Sequence, residues 1–345
     1  MMISEHGGDI YSREIKLDFS ANLNPFGMPE SVKNALINSV SEWEKYPDPF
    51  CVKLCQKLSE YEKYPAEKIV CGNGAADLIY RLVKAVNPKR AVVIAPTFSE
   101  YEKALSENGT EIVRYHLSDK NDFSIDKGIL NVLDGSIDML FLCSPNNPTG
   151  QLVPEDILKT AAEKCLENNM ILVCDECFLP FVQTGKNISM REFMNGNAVI
   201  LNAFTKIFSM AGIRLGYALF GNSELAERVQ KTGQYWSVST PAQLAGIAAV
   251  SEKSYVIKTA QLIKIEREFL TAQLQEFGFM VFKSEANFIL FRCDLPLDER
   301  LLREKIAIRN CSNYEGLSDG YFRIAVRDHE ENTMLIEAIG RCLNG

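Results

Sequence analysis

The middle of the chain alternates short apolar runs with segments of helical periodicity, and this pattern constrains the fold more than any other feature. Buried strands are predicted at 91–96, 111–116, 137–145, 170–176 and 197–204. One helix is predicted from Ser99 to Asn108, and another begins near Pro154. Such strands between helices are typical of a parallel, doubly wound sheet, in which ligands bind at the carboxyl ends of the strands.

The pattern changes from about Pro241 onward, where long helical periodicity replaces the alternation. Further strands are predicted at 279–285, 287–293 and 320–327, before a closing helix at about 331–343. This part of the chain therefore resembles a smaller α+β domain. The predicted division is an N-terminal arm that also contributes to the small domain (1–40), a large domain (41–255) and a C-terminal small domain (256–345).

Charge and composition argue against several classes of function. The 345 residues carry a formal net charge of −8 and no long basic run, so no nucleic-acid partner is expected. No apolar stretch reaches the roughly 20 residues of a transmembrane helix, so no membrane association is expected. The first residues lack the apolar core of a signal peptide, and we expect a cytoplasmic protein.

Cys174 and Cys177 form a C-x-x-C pair, a pattern that can indicate redox chemistry or a metal site. The chain has ten cysteines but only three histidines, and it has no second C-x-x-C. A zinc site would therefore lack ligands, and no metal is predicted. Free buried cysteines behave as small apolar side chains, and their number fits a reducing compartment.

Polar side chains follow three of the predicted strands. Asn147 lies in the turn N-N-P-T-G, which alone could be only a rigid turn. Asp175 ends an apolar run, where a carboxylate is costly to bury unless it is paired; alone it could be a helix cap or a metal ligand. Lys206 lies beside apolar residues, and Arg214 follows eight positions later in G-I-R-L-G.

In this order, N-N-P-T-G, D-E and T-K with a downstream G-x-R-x-G resemble the fold-type I aminotransferase superfamily, classes I and II. The resemblance covers nearly the whole chain. It implies a mainly parallel seven-stranded sheet sandwiched by helices, a smaller α+β domain and the cofactor pyridoxal 5'-phosphate (PLP). PLP chemistry needs a lysine and a carboxylate. The resemblance implies that Lys206 forms the Schiff base, Asp175 holds the pyridinium nitrogen and Asn147 donates to the phenolic oxygen.

The phosphate of this cofactor requires fixed hydrogen-bond donors. The glycines of C-G-N-G-A-A-D precede a predicted helix, so the amides of Gly74, Ala75 and Ala76 can hold an oxyanion at its N-terminus. By resemblance, Thr205 and Arg214 supply a hydroxyl and a guanidinium to the same phosphate.

Two aromatic residues also match positions of the superfamily. Phe98 would stack on the pyridine ring, although core packing is the alternative from the sequence alone. Tyr46 would reach the phosphate of the neighbouring subunit, which implies a homodimer with shared active sites. Phe178 and Ala203 depart from the common pattern, which has a tyrosine and a serine or threonine there. The hydrogen bond lost at Ala203 would weaken cofactor binding by about 1 kcal/mol.

The two ends of the chain resemble the threonine-phosphate decarboxylases of cobalamin biosynthesis, with histidinol-phosphate aminotransferases second. The segments concerned are H-G-G-D-I and L-D-F-S-A-N-L-N-P near the N-terminus, and I-A-I-R-N to I-A-V-R near the C-terminus. The resemblance implies that His6, Asn22, Arg309 and Arg323 face a small phosphorylated substrate. Arginine suits a carboxylate and a phosphate, although from the residues alone these arginines could pair with acids and His6 could belong to a disordered tail.

Two reactions remain open at the level of sequence. We expect decarboxylation of L-threonine O-3-phosphate to (R)-1-amino-2-propanol O-2-phosphate. The alternative is transamination of the histidinol-phosphate type, with 2-oxoglutarate as the amino-group acceptor. The bond that breaks is the one held perpendicular to the cofactor ring, so the anchoring of the substrate's anions selects the outcome. A non-catalytic protein of the same fold is disfavoured by the complete set of lysine, aspartate, asparagine and arginine.

Overall fold

The computed structural model describes residues 6–183 and 189–344. Within them the strands are β1 (Leu17–Asp18), β2 (Ile69–Gly72), β3 (Arg90–Ala95), β4 (Glu111–His116), β5 (Met139–Cys143), β6 (Ile171–Asp175), β7 (Ala198–Ala203), β8 (Gly216–Phe220), β9 (Met280–Val281), β10 (Phe288–Arg292), β11 (Ile306–Ala307), β12 (Arg309–Asn310) and β13 (Tyr321–Ala325). The helices are α1 (Glu30–Ile37), α2 (Val52–Glu62), α3 (Gly74–Val86), α4 (Glu100–Glu107), α5 (Glu155–Glu167), α6 (Phe204–Ile207), α7 (Ser223–Lys231), α8 (Thr240–Ala249), α9 (Lys253–Glu276), α10 (Leu297–Arg303) and α11 (His329–Asn344).

A seven-stranded sheet organises the larger part of the molecule, in the order β2-β8-β7-β6-β5-β3-β4. The five strands from β7 to β4 in this order pair in parallel, whereas β8 is antiparallel to both of its neighbours. The two faces of the sheet contribute to two separate cores. Val93 on β3 belongs to the core that includes α3, α4 and α7, and the adjacent Ile94 belongs to the core that includes α5. The predicted α/β fold, with a mainly parallel sheet between helices, is confirmed.

Burial of both faces explains why the apolar runs are nearly continuous. Every residue of β5 is buried, as is every residue of β8. The sequence pattern located the five strands from β3 to β7 but did not locate β2 or β8. Both of these carry a glycine at the end near α3. A Cβ at Gly216 would lie 2.6 Å from the backbone nitrogen of Ala75, so this close approach requires glycine where a strand pattern would show a branched residue.

A second sheet, in the order β12-β13-β10-β9, is antiparallel throughout and lies in the C-terminal part. The N-terminal β1 pairs in parallel with β11, so residues from the two ends of the chain lie side by side. The 24-residue helix α9 runs through residue 255, where the sequence pattern placed a domain boundary. The boundaries at 40 and 255 stay a prediction.

The described residues contain neither a membrane-spanning helix nor a cluster of metal-binding side chains. None of the helices there combines the length and the apolar character that crossing a bilayer would need. Over residues 6–183 and 189–344, no group of three or more histidine, cysteine, aspartate or glutamate side chains is placed to hold a metal ion.

Candidate active site

A cavity of about 220 Å³ lies at the carboxyl ends of β5, β6 and β7 and faces the beginning of α3. This is where parallel sheets bind ligands. Most of the residues that the sequence singled out line it. They are His6, Asn22, Ala75, Ala76, Phe98, Asn147, Asp175, Thr205, Lys206, Arg214 and Arg323. Gly74 adjoins the cavity through Ala75, whereas Tyr46 and Arg309 do not line it.

Lys206 extends from the short helix α6, directly after β7. Burial, followed by the positive charge of Arg323, lowers the pKa of its ammonium to about 8. At pH 7 about a tenth of the lysine is therefore in the neutral form, far more than for an exposed lysine. Only the neutral amine can attack a carbonyl carbon, so the site prepares Lys206 for covalent chemistry.

Asp175 ends β6 and is 5% exposed. The hydroxyl of Tyr101 donates to its Oδ2 at 2.6 Å, and the backbone nitrogen of Cys177 donates to its Oδ1 at 2.9 Å. Burial, followed by the charge of Asp175, raises the pKa of Tyr101, which therefore remains a donor. Tyr101 also stacks on Phe141 at 5.0 Å between ring centroids. These contacts hold a carboxylate at the cavity wall, where it suits a protonated ring nitrogen.

Asn147 lies in the turn after β5, and its side-chain oxygen is already occupied. Arg323 donates to Asn147 Oδ1, and the hydroxyl of Tyr314 donates to the same oxygen at 3.4 Å. The amide N–H groups of Asn147 are therefore the part of the side chain that is available to an acceptor in the cavity.

The beginning of α3 forms a cradle for an anion. The first amides of a helix have no partner within the helix, and those of Ala75 and Ala76 lie at the cavity. Gly74 has φ +84°, and a Cβ on it would lie 2.7 Å from a guanidinium nitrogen of Arg214. Thr205 lines the same cavity. Backbone donors, a hydroxyl and a guanidinium thus converge, and this donor set fits the phosphate of PLP.

Alanine at Gly74 is expected to weaken cofactor binding by about tenfold or more. The new methyl group would displace Arg214, and the left-handed backbone would add about 1–2 kcal/mol of strain. The loss of binding is measured as the visible absorbance of the cofactor that remains after dialysis. Gly109→Ala is the matched control, because Gly109 has φ +74° and no atom within 4 Å of an added Cβ. Equal retention in the two variants would contradict a role for Gly74 in the cradle.

Two phenylalanines line the cavity: Phe98, which was predicted to stack on the pyridine ring, and Phe178, which departs from the superfamily pattern. Phe98 meets Tyr101 edge to face, with ring centroids 5.7 Å apart. Phe178 lines the cavity and packs edge to face on Phe288 at 5.0 Å, so no hydroxyl is present at the position where many aminotransferases have a tyrosine. Ala203 also lines the cavity and likewise offers no side-chain donor.

The arginines on the substrate side occupy adjacent strands. Arg309 on β12 and Arg323 on β13 are direct cross-strand partners, so they lie on the same face of the second sheet. Like charges in this relation are destabilising unless an anion compensates them. Arg323 lines the 220 Å³ cavity, whereas Arg309 lines a neighbouring cavity of about 580 Å³. The structure therefore places the two guanidinium groups in adjoining cavities, and the role of both toward a substrate stays a prediction.

The N-terminal segment connects these two cavities, because His6 lines both of them. Nε2 of His6 lies 2.9 Å from Oε1 of Glu100. Asn22 is 2% exposed and lines the first cavity, and its Oδ1 has no hydrogen-bond partner among the described residues. A buried acceptor in this state suits a donor from a bound ligand.

Tyr46 lies away from the cavity, is 79% exposed and stacks on Trp236 at 4.5 Å. Its role toward a second subunit stays a prediction. Sequence reasoning did not identify Tyr101, Tyr314 or Ser20, although all three shape the site. Ser20 and Tyr314 lie within segments that carried the resemblance, whereas Tyr101 lies only within the helix predicted from Ser99 to Asn108.

Comparison with known proteins agrees with this geometry. The chain is 36% identical to the threonine-phosphate decarboxylase of Salmonella typhimurium, over 99% of this chain and 97% of that protein. It is 33% identical to a histidinol-phosphate aminotransferase of Methanococcoides burtonii, over 95% and 89%. The crystal structure of a histidinol-phosphate aminotransferase from Clostridium acetobutylicum superimposes with a TM-score of 0.88 at 30% identity, covering 95% of this chain and 99% of that one.

The family model for aminotransferase class I and II matches residues 14–339, which is almost the entire chain. Together with the buried lysine, the carboxylate and the anion cradle at one edge of the sheet, this match confirms the resemblance. The chain belongs to the aminotransferase class I and II family, and its cofactor is pyridoxal 5'-phosphate.

Proposed function

We propose that this enzyme decarboxylates L-threonine O-3-phosphate to CO2 and (R)-1-amino-2-propanol O-2-phosphate. The observation that carries the proposal is the pair of arginines on β12 and β13, which face two adjoining cavities. Threonine phosphate has two separate anionic groups, a carboxylate and a phosphate, and can use one guanidinium for each. Histidinol phosphate has a single anionic group, although 2-oxoglutarate, the acceptor in the alternative reaction, has two carboxylates. The 36% identity to a threonine-phosphate decarboxylase supports the same assignment.

The cofactor would be held by the residues that converge on the cavity. We propose that Asp175 pairs with the pyridinium nitrogen, Asn147 donates to the phenolic oxygen and Phe98 covers the ring face. The phosphate ligands would be the amides of Gly74, Ala75 and Ala76 together with the side chains of Thr205 and Arg214. When bound, PLP supplies an electron sink for the bond that breaks at the substrate's α-carbon.

In this proposal Lys206 carries the proton that the reaction needs. Decarboxylation breaks the bond between the α-carbon and the carboxylate carbon, CO2 leaves, and the α-carbon takes up one proton. A lysine with a pKa of about 8 exchanges protons readily near neutral pH, so its Nζ is suited to deliver that proton. Arg309 and His6 would bind the substrate's phosphate, while Arg323 and Asn22 would contact the end that reacts.

Product analysis of the PLP-loaded protein tests the proposed reaction. With O-phospho-L-threonine, CO2 and the amino alcohol phosphate should form in equal amounts without an added keto acid. With histidinol phosphate and 2-oxoglutarate, no glutamate should form. Glutamate formation in the second assay, with no CO2 in the first, would reject decarboxylation in favour of transamination.

A transaminase of the histidinol-phosphate type is the second candidate. The 33% identity to one such enzyme and the structural similarity to another favour it. In this reaction Lys206 would remove the α-hydrogen of histidinol phosphate, which has no carboxylate to lose. Phe178 weighs against this candidate, because many aminotransferases have a tyrosine there.

We also propose that the enzyme is a homodimer. Tyr46, Phe50, Tyr235 and Trp236 form an exposed aromatic cluster, in which successive ring centroids lie 4.5 to 6.0 Å apart. Exposed apolar surface of this kind is typical of protein interfaces.

Light scattering should give about twice the chain mass of 38.7 kDa. Tyr46→Phe should weaken cofactor retention if this hydroxyl reaches the partner's phosphate, and a monomeric protein would contradict the proposal.

A further inference from the structure

We infer that Glu100 is a positioning residue that holds His6 over the mouth of the active-site cavity. The inference rests on the proposed function, because it concerns how His6 is held where a phosphorylated substrate would bind. Glu100 lies in the first turn of α4 and is 12% exposed at its side chain. One carboxylate oxygen contacts Nε2 of His6 at 2.9 Å, and the other accepts from the hydroxyl of Tyr80 at 3.0 Å.

This arrangement uses both oxygens of the carboxylate for protein donors. Burial, followed by the hydrogen bond to Glu100, raises the pKa of Tyr80, so that residue remains a donor. Tyr80 thus fixes the carboxylate from α3, and the carboxylate fixes the imidazole from α4. A carboxylate bound in this way is directed at His6 and not at the substrate, whose negative charges it would repel. The ring of His6 is thereby held 5.8 Å from the ring of Phe98, at the boundary of both cavities.

A second attachment lies on the other side of His6. Gly7 approaches Ser20 so closely that a Cβ would lie 2.2 Å from the carbonyl oxygen of Ser20. Gly8 adopts φ +90°, and its backbone nitrogen donates to Oγ of Ser20 at 2.7 Å. The carbonyl oxygen of Ser20 accepts from Arg323 at 2.8 Å. The same serine therefore anchors the N-terminal segment and one of the arginines proposed to bind substrate.

The two attachments tie the segment around His6 to α4 through Glu100 and to Ser20, which in turn contacts Arg323 of β13. Glycine at positions 7 and 8 permits the close approach, but glycine also makes the free segment flexible. The Glu100 carboxylate, through its hydrogen bond with Nε2 of His6, restricts the position of the imidazole. Removing its charge should raise KM for O-phospho-L-threonine about tenfold, the value of one charge-assisted hydrogen bond, and leave kcat within about threefold.

The test compares Glu100→Gln with Glu102→Gln in the PLP-loaded protein. Glu102 lies on the same helix, and its carboxylate pairs with Arg114 at 2.7–3.1 Å away from His6. Hydrogen exchange of residues 6–20 should become faster in E100Q and stay unchanged in E102Q. Exchange at wild-type rates in E100Q would overturn the inference. This measurement needs no substrate, so it remains decisive even if the wild-type enzyme releases no CO2 and the proposed reaction fails.

A double-mutant cycle separates positioning from a general loss of structure. If Glu100 acts through His6, the combined variant of His6→Ala and Glu100→Gln should have the same KM as His6→Ala alone. Additive effects would overturn the inference, because Glu100 would then act on the site by another route.

Discussion

Replacing Lys206 with alanine is expected to reduce turnover of O-phospho-L-threonine by at least about 10⁴-fold. The variant loses both the amine that reacts with the cofactor and the group that carries the proton, and general acid–base catalysis alone contributes about 10²–10⁴-fold. The cradle at α3 is unchanged in this variant, so PLP should still bind without a covalent link. Steady-state CO2 release measures the first effect, and visible absorbance after dialysis measures the second.

Lys231→Ala is the matched control, because the Lys231 side chain is 73% exposed and pairs with Glu227 on the surface. This control should turn over at the wild-type rate. Wild-type turnover in Lys206→Ala would contradict the assignment of the catalytic lysine. A pH series adds an independent check. The pKa of Lys206 is lowered to about 8, so the rate at which the apoprotein takes up PLP covalently should rise with pH and level off above about 8.

The residues at strand ends were predictable because their signal is local. Asn147, Asp175 and Lys206 each follow an apolar run that the sequence shows directly. Because the carboxyl ends of parallel strands lie at the same edge of the sheet, these residues can be predicted to lie together without knowledge of side-chain contacts. Strands β3 to β7 were found in the same way, whereas the glycines in β2 and β8 weaken the pattern that identifies a strand.

The residues that hold this site in place were not predictable, because their signal is not local. Tyr101 reaches Asp175 across 74 positions in the chain, and Arg323 reaches Ser20 across 303. Such contacts depend on how helices and sheets pack, which no periodicity encodes. Arg309 shows the same limit. The sequence does not show that Arg309 and Arg323 are cross-strand partners, nor that they line two adjoining cavities.

Replacing Arg323 with alanine should raise KM for O-phospho-L-threonine by roughly 30-fold to several thousand-fold, since losing one partner of a buried charge pair costs about 2–5 kcal/mol. Arg323 is 5% exposed, donates to Asn147 and Ser20, and lies over the ring of Phe288 at 5.4 Å. PLP should stay bound, because the cradle at α3 does not include this arginine. Substrate saturation curves measure the first effect, and absorbance of the bound cofactor measures the second.

The variant should also change the behaviour of Lys206. The charge of Arg323 helps to lower the pKa of that lysine, so its removal should move the pKa upward and shift covalent PLP uptake to higher pH. Arg292→Ala provides the control. Arg292 lies on β10, its side chain is 43% exposed, and its nearest acid is Asp294 at 3.6 Å. The control should change neither KM nor the pH of uptake. Loss of PLP from Arg323→Ala would instead place Arg323 among the residues that hold the cofactor, and substrate recognition would then fall to Arg309 and the N-terminal segment.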